Sequence, residues 1–319
     1  MTPGATWLSA TSAGRLLHCP ASASFTSASD PVPPSPPENA GTLAHFAVSA
    51  WVESEAWLSN DPGGALRDCW DSEAVRWGVD ARSLDESVMT RSRLRSRGAE
   101  LAALLPSSSG SARSEVFLRD SAHLLYGQAD IVVDREDGGV VIDLKTGTDS
   151  QTQSVRTQLL VYAHLFRQEA DHFPATLVAF SLRHGAVHIN ISERDIDGLL
   201  ERLQVARSQP SLALPDPAGC KFCRRRLRCE PHWKAASAWE DPDCVEGVIS
   251  RMEAAATGLV AIHVDTIEGP QWVTGLASSA GGGLKPGDAV RFTEVVGQGE
   301  LLAKEWRATR STRMQRCDS

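Results

Sequence analysis

Two short apolar runs that each meet a carboxylate frame this sequence. Gly127-Gln-Ala-Asp130 opens onto Ile131-Val132-Val133, and Val140-Val141-Ile142 runs into Asp143-Leu144-Lys145. Runs this short, rich in β-branched residues and bounded by turn-formers, read as strands. The segment Asp134–Gly139, with two glycines at its end, is a turn signal joining them. Side chains alternate along a strand, so Asp143 and Lys145 share one face and Leu144 takes the other. Two carboxylates and a lysine then converge on one side of a small sheet. Carboxylates that close want a divalent cation between them, and hard oxygen ligands favour Mg²⁺ or Mn²⁺. A lysine beside such a cation orients a water or offsets developing phosphate charge.

The flanking chain supplies helices before these strands and alternating elements after them. Gly41 to Leu58 reads as a helix, with Leu43, Phe46, Ala47, Ala50, Trp51 and Trp57 as its apolar stripe and His45 near its start. Further helices are expected over residues 61–105. They include the basic run Arg91, Arg93, Arg95, Arg97, whose ordinary reading is a solvated helix face and whose second reading is a phosphate-contacting one. Glu115–Leu118 and Leu124–Tyr126 read as strands ahead of the opening pair, with Glu115 either a solvated acid or an additional one for the site. A helix over about 155–168 follows, then strands at Ala175–Leu182 and Val187–Ile191. Ser192-x-x-Asp195 is a capping-box-like start for a helix ending near Arg207. This order predicts an α/β fold with a mixed sheet flanked by helices and helical additions. Ala21 to Pro37, rich in Ser, Ala and Pro, reads as an exposed loop.

The 319-residue chain is long enough for two domains, expected over 1–240 and 241–319. Its 42% apolar and 23% charged content is that of a globular protein. No apolar run reaches membrane-span length and no signal peptide is visible, so a cytoplasmic protein with no membrane partner is expected. A net charge of −8 argues against a broad DNA-coating surface, although a local basic groove remains compatible with it. Seven cysteines, an odd count in such a chain, speak against a disulfide framework.

Gly127-x-x-Asp130, Asp143-x-Lys145 and Gln158-x-x-x-Tyr162 occur in that order, and Gly41-x-x-x-His45 lies upstream on a helix. Gln158 and Tyr162, four apart, share a helix face. Each motif alone is ordinary. Together they resemble the PD-(D/E)xK nuclease superfamily, in its RecB-like branch. The resemblance implies a metal held by His45, Asp130, Asp143 and the Leu144 carbonyl, a water positioned by Lys145, and Gln158 and Tyr162 bracing the site and touching the DNA backbone. The acid before Leu144 is more often glutamate in the family; Asp143 is a shorter variant. The implied activity is metal-dependent hydrolysis of DNA phosphodiester bonds, exonucleolytic rather than endonucleolytic, on single strands or free ends. The implied setting is recombination, repair or phage defence, with a recombination or helicase partner. The rival readings are a non-catalytic DNA-binding or assembly protein on the same fold, and a restriction-type endonuclease.

Cys220-x2-Cys223-x5-Cys229 has metal-ligand spacing, and a distant Cys19 makes a fourth thiol. Four thiolates suit tetrahedral Zn²⁺ or an iron–sulfur cluster, and spacing does not separate the two. One cysteine before the nuclease motifs and three after them is similar to the clasp of RecB-like nucleases, which implies a [4Fe–4S] cluster. Closing a loop of about 200 residues costs on the order of 4–5 kcal/mol of chain entropy, which metal–thiolate bonding offsets. Lys221, Arg224, Arg225, Arg226 and Arg228 surround these cysteines; they fit charge compensation for an anionic cluster, contact with DNA phosphates, or both. Cys69, Cys244 and Cys317 read as ordinary thiols.

Beyond the linker-like Trp239–Pro242, strand-like runs at Cys244–Ile249, Leu259–Thr266, Gln271–Gly275, Ala289–Val295 and Glu300–Trp306 alternate with Gly-rich turns. They predict a small β-barrel, OB-like or SH3-like, fit to bind nucleic acid. Trp272, Phe292 and Trp306 are either base-stacking residues or core, and Arg307, Arg310, Arg313 and Arg316 form a basic tail.

Overall fold

The computed structural model describes residues 6–26, 34–108, 110–135, 138–147, 153–221, 223–240, 242–279, 283–298 and 304–317. Residues 27–33 of the Ser/Pro-rich stretch expected as a loop, and the tip of the Asp134–Gly139 turn, lie outside them; within the stretch, the end of a 3₁₀ turn (Pro20–Ser22) and a two-residue strand (Phe25–Thr26) stand where only loop was expected. Contacts divide the chain into two compact units, one of residues 1–17 and 23–210, the other of 18–22 and 211–319.

The first unit begins with β1 (Trp7–Ser9), α1 (Ala10–His18) and β2 (Phe25–Thr26). Three helices follow: α2 (Ala40–Glu53), α3 (Pro62–Arg76) and α4 (Ser87–Ala102). Then come β3 (Ala112–Asp120), β4 (Leu125–Val133), β5 (Val140–Lys145), α5 (Gln153–Ala170), β6 (Thr176–Ser181), β7 (Gly185–Ile189) and α6 (Glu193–Arg207). The described strands form one mixed sheet in the order β2-β1-β4-β5-β6-β7, with β3 also paired to β4. Strands β5 and β6 run parallel, which the crossover helix α5 permits; β4 and β5 run antiparallel across their short turn. One core packs α1, α5 and α6 on one face, through Leu16, Leu159, Leu165 and Leu199. The other packs α2, α3 and α4 on the opposite face, through Leu43, Trp51, Trp70 and Leu94. The fold is a mixed α/β sandwich, as the element order predicts.

Three local readings differ. Leu124–Tyr126 and Ile131–Val133 are one strand, β4, because β3 pairs with it from Ala112↔Val133 to Asp120↔Leu125, interrupted only at Glu115 and Asp130, and holds Gly127-Gln-Ala inside the ladder. The helix expected over Gly41–Leu58 breaks at Glu55, whose φ is +56, and resumes as a single 3₁₀ turn at Ala56–Leu58. The arginines of α4 are engaged with acids: Arg91 with Asp71 at 2.5 Å, Arg95 with Asp61 at 2.7 Å and Arg97 with Glu100 at 2.7 Å. Two of these pairs tie α4 to the start and middle of α3, so the run acts as an inter-helix strap. The capping box at Ser192 and Asp195 is present as the sequence suggests.

The second unit holds the short α7 (Pro217–Lys221), α8 (Glu230–Ala236) and five strands: β8 (Cys244–Ala254), β9 (Leu259–Thr266), β10 (Gly269–Ala277), β11 (Ala289–Gln298) and β12 (Lys304–Cys317). The strands close into a barrel in the order β10-β12-β11-β8-β9, with β10 and β12 parallel. Phe292 and Trp306 are buried in its core, and the Trp306 indole donates to Gln271 Oε1 at 2.7 Å. Both are therefore core residues. Trp272 is half-buried with its ring against His263. The arginine-rich segment expected as a tail is strand β12, paired with β11 as far as Cys317.

Candidate active site

The site forms where β4 and β5 part company. Their ladder runs from Val133↔Val140 to Ile131↔Ile142 and stops, leaving Asp130 and Asp143 at the fork. A main-chain amide past the end of a ladder needs a new acceptor. The amide of Leu144 finds it in Asp130, whose Oδ2 accepts at 2.6 Å. Asp130 thus replaces a missing strand partner, which fixes its carboxylate. Leu144 and Ile142 pack with α2–α4 while Val141 packs with α5, so Asp143 and Lys145 lie on the α5 face, as strand alternation dictates.

Strand β3 brings a further acid. Ser114 pairs with Ile131 and Val116 with Ala129, but Glu115 and Asp130 between them are not paired, and Glu115 sits at φ +50. Both strands change face here: Val116 and Ala129 pack with α5, whereas Ile131 packs with α2–α4, where Ser114 bonds Ser49. A non-glycine residue in the left-handed region costs of order 1–3 kcal/mol and recurs at functional sites. The twist delivers Glu115 and Asp130 to the same place.

From the other side α2 delivers His45. Asn39 caps α2 by accepting from the Thr42 amide at 2.9 Å, and the Gly41 Cα lies so near Thr146, just after β5, that a Cβ would come within 2.7 Å of its hydroxyl. That approach is the physical content of Gly41-x-x-x-His45. One turn on, His45 Nδ1 meets Asp130 Oδ1 at 2.8 Å. The ligand atoms of His45, Glu115 and Asp130 all lie within 4.8 Å of one another.

Charge in this pocket is unsettled without a cation. Burial works to lower the His45 imidazole, but the Asp130 carboxylate and its hydrogen bond outweigh it and push the group up to about 9. Burial opposes ionisation of Asp130 too, yet His45 and the Leu144 amide hold it below the usual carboxylate range. Burial and the Asp130 charge push Asp143 up to about 6, and burial with Asp130 pushes Glu115 up to about 7. Buried carboxylates that resist ionisation because of desolvation and of one another's charge are a donor set a divalent cation would satisfy. The residues fit Mg²⁺ or Mn²⁺.

Lys145 is held in a relay. Its Nζ pairs with Asp143 Oδ2 at 2.6 Å and donates to Gln158 Oε1 at 2.9 Å. The Gln158 amide donates to Thr11 Oγ1 at 3.2 Å and to the Tyr162 hydroxyl at 3.3 Å, and that hydroxyl donates to the Gln128 carbonyl at 2.7 Å. Gln158 and Tyr162 are buried, so they brace Lys145 and β4. Gly127 admits the Tyr162 ring: a Cβ there would stand 2.6 Å from Tyr162 Cε1. Thr11 of α1 belongs to none of the sequence motifs; nothing in its spacing ties it to Gln158, 147 positions away.

The second unit gathers the cysteines. Cys19, Cys220, Cys223 and Cys229 line one cavity of about 800 Å³. Cys19 Sγ accepts from the Leu214 amide at 3.3 Å, and burial, with Cys223 and Cys229 nearby, pushes the Cys220 thiol up to about 11. Among the described residues no three of these sulfurs lie within 4.8 Å of one another, but a cation that held Cys220 and its neighbours as thiolates would offset the cost of ionising them. Of the five surrounding cations, Lys221, Arg224, Arg225 and Arg228 are exposed, with Arg225 donating to the Ala21 carbonyl at 2.6 Å. Arg226 is different. It is 3% exposed, grips Asp243 with two nitrogens and donates Nε to His232 at 3.1 Å. Its guanidinium is spent inside the unit, which corrects its reading as a DNA contact.

A model of the PD-(D/E)XK nuclease superfamily matches residues 7–230. The chain belongs to the PD-(D/E)XK nuclease superfamily. Its members are in general nucleases that use Mg²⁺ or Mn²⁺, which agrees with the donor set built from His45, Glu115 and the two aspartates. No curated protein sequence matches the chain. Among solved structures, a protein described as SSO0001 aligns at 18% identity over 60% of this chain and 98% of its own, with a TM-score of 0.29. A murine DNA-binding protein bound to double-stranded DNA aligns at 10% identity over 65% of this chain and 95% of its own, with a TM-score of 0.23. No described helix is long and apolar enough to cross a membrane.

Proposed function

We propose that this chain is a metal-dependent deoxyribonuclease of the RecB-like branch, acting exonucleolytically on single-stranded DNA or DNA ends in recombination, repair or defence. The supporting observation is the convergence of His45, Glu115 and Asp130 beside the Asp143–Lys145–Gln158 relay at the β4–β5 fork. His45, Asp130, Asp143 and the Leu144 carbonyl would hold Mg²⁺ or Mn²⁺, with Glu115 as a further acid. The bound cation would supply Lewis acidity at the scissile phosphate and a more acidic water. Lys145, its charge partly offset by Asp143, orients the attacking water and balances charge gathering on the phosphate. Gln158 restricts Lys145 to one rotamer, and Tyr162 fixes Gln158. His45 gives up its proton on ligation, since only the neutral imidazole has a free lone pair.

In the same reading a [4Fe–4S] cluster ligated by Cys19, Cys220, Cys223 and Cys229 closes residues 1–240 as a nuclease domain. The shared cavity supports that assignment, and Zn²⁺ is the alternative occupant. The module over 241–319 is read as an OB-type barrel, and Lys221, Arg224, Arg225 and Arg228 as phosphate contacts. The deciding experiment is digestion of end-labelled linear and circular DNA with Mg²⁺ or Mn²⁺. Loss of linear single strands from an end is expected, falling by about 10²-fold or more in Lys145→Ala. Equal degradation by Lys145→Ala and wild type removes the assignment. A colourless, anaerobically purified protein with stoichiometric zinc removes the iron–sulfur one.

A further inference from the structure

A second group of ligating side chains lies in the first unit, apart from the residues assigned above. Asp120 ends β3, His123 sits in the turn leading to β4, and His164 projects from α5. Their ligand atoms all lie within 4.8 Å of one another. Asp120 Oδ2 receives both histidines, His123 Nδ1 at 2.6 Å and His164 Nε2 at 2.7 Å. The two rings meet edge to face, with centroids 5.2 Å apart.

The arrangement is built. Asp120 and His164 are 6% and 4% exposed, and the motifs above give neither a role. The other Asp120 oxygen accepts from the Ala122 amide at 2.7 Å, which fixes the carboxylate and leaves Oδ2 aimed at the histidines. The turn carrying His123 is clamped from α6: Arg207 donates to the His123 carbonyl at 2.9 Å and the Leu124 carbonyl at 3.0 Å, and Leu124 is held at φ +51. Only the His123 side chain reaches solvent, about half exposed. Two buried ligands and one exposed one leave the outward side for water.

Two imidazole nitrogens crowding one carboxylate oxygen is an arrangement that one cation replaces without moving the backbone. Around Zn²⁺ at about 2.0–2.1 Å, donors in a tetrahedral site stand roughly 3.3 Å apart, so the 2.6 Å distance would open by rotation of the exposed His123 ring and the 2.7 Å distance between Asp120 and His164 by a small side-chain shift. We propose that Asp120, His123 and His164 form a second metal site for a borderline transition-metal ion of the Zn²⁺ class, completed by water. Two nitrogens and one oxygen suit Zn²⁺, Co²⁺ or Ni²⁺ and are a poor set for Mg²⁺, so the site is chemically separate from the acidic fork. Bound metal would pin the β3–β4 turn to α5, the helix that carries Gln158 and Tyr162. The inference does not depend on the nuclease reading.

The test is equilibrium dialysis of the chelator-treated full chain against Zn²⁺ with excess Mg²⁺ present, with metal per chain measured by mass spectrometry. Wild type is expected to hold one equivalent more than His123→Ala, while Lys145→Ala and Cys220→Ser each keep the equivalent that His123→Ala loses. His123→Ala is exposed and should fold, which circular dichroism checks; His164→Asn should show the same loss if it folds. As a second reading, Co²⁺ should bind His123→Ala at least about tenfold more weakly at this site. Equal zinc content in folded wild type and His123→Ala, with no Co²⁺ affinity change, overturns the proposal.

Discussion

In the proposed reading, His45 would be the residue whose chemistry changes most on metal binding. With its imidazole held near 9 by Asp130, it is protonated at pH 7.5 and must lose that proton to ligate. Binding of Mn²⁺ should therefore release about one proton per site, read as a dependence of calorimetric enthalpy on buffer ionisation heat. His45→Ala should remove most of that dependence and weaken binding; an unchanged dependence would take His45 out of the ligand set. Gly127 makes a contrasting demand, for absence of volume. Gly127→Ala drives a methyl into the Tyr162 ring and the Ala10 side chain, 2.6 and 3.0 Å away. A loss of about 1–3 kcal/mol is expected from urea unfolding, with activity falling further because Tyr162 braces Gln158. Stability equal to wild type would mean that the β4–α5 approach is looser than described.

At the scale of elements, the site depends on how α2 and α5 meet the sheet. Asn39 starts α2 six residues before His45, and its side chain caps the helix through the Thr42 amide. Asn39→Ala should cost about 0.5–2 kcal/mol in thermal or chemical unfolding. Since the cap also fixes the helix that carries His45, metal affinity should fall with it, whereas Ser192→Ala, which loses the cap of α6, should cost similar stability and leave metal affinity alone. If both caps change metal affinity equally, the effect is global. Helix α5 is buried on all sides from Thr157 to Phe166, so its sequence shows a helix but not which face meets the site; the direction of Gln158 towards Lys145 depends on β5 lying beneath it.

For the molecule as a whole, acid sensitivity should come from the second unit. His232 is fully buried and accepts from Arg226 Nε, which fixes it as the neutral tautomer protonated on Nδ1. Burial, reinforced by the Arg226 charge, pulls its pKa down to about 4. An unfolded histidine titrates near 6.5, so between these values the unfolded chain binds more protons and stability rises with pH. The contribution is complete above about pH 6.5 and lost as pH falls towards 4, at most about 3 kcal/mol. Asp143 and Glu115, pushed up to about 6 and about 7, oppose this trend over the same range, so the His232 contribution is read as a difference: from pH 4.5 to 7 the denaturant midpoint of wild type should rise relative to that of His232→Gln. Identical slopes would place the acid-labile group elsewhere. The Arg226–Asp243 pair beside it anchors the start of β8.

The sequence by itself determined the mixed α/β class, the closed barrel and the residues of the fork. Strand alternation puts Asp143 and Lys145 on one side, and a four-residue spacing aligns Gln158 with Tyr162; these are properties of local backbone geometry. Tertiary structure alone decided that Glu115 joins Asp130, because its left-handed φ and the paired change of face in β3 and β4 arise from packing on both sides of the sheet. It also decided that Arg226, Phe292 and Trp306 are interior. Composition marks a side chain as basic or aromatic, but burial depends on what chain distant in sequence lies over it. Asp120, His123 and His164 escaped the sequence for the same reason: His164 is 44 positions from Asp120, and only the crossing of α5 over the end of β3 makes them neighbours.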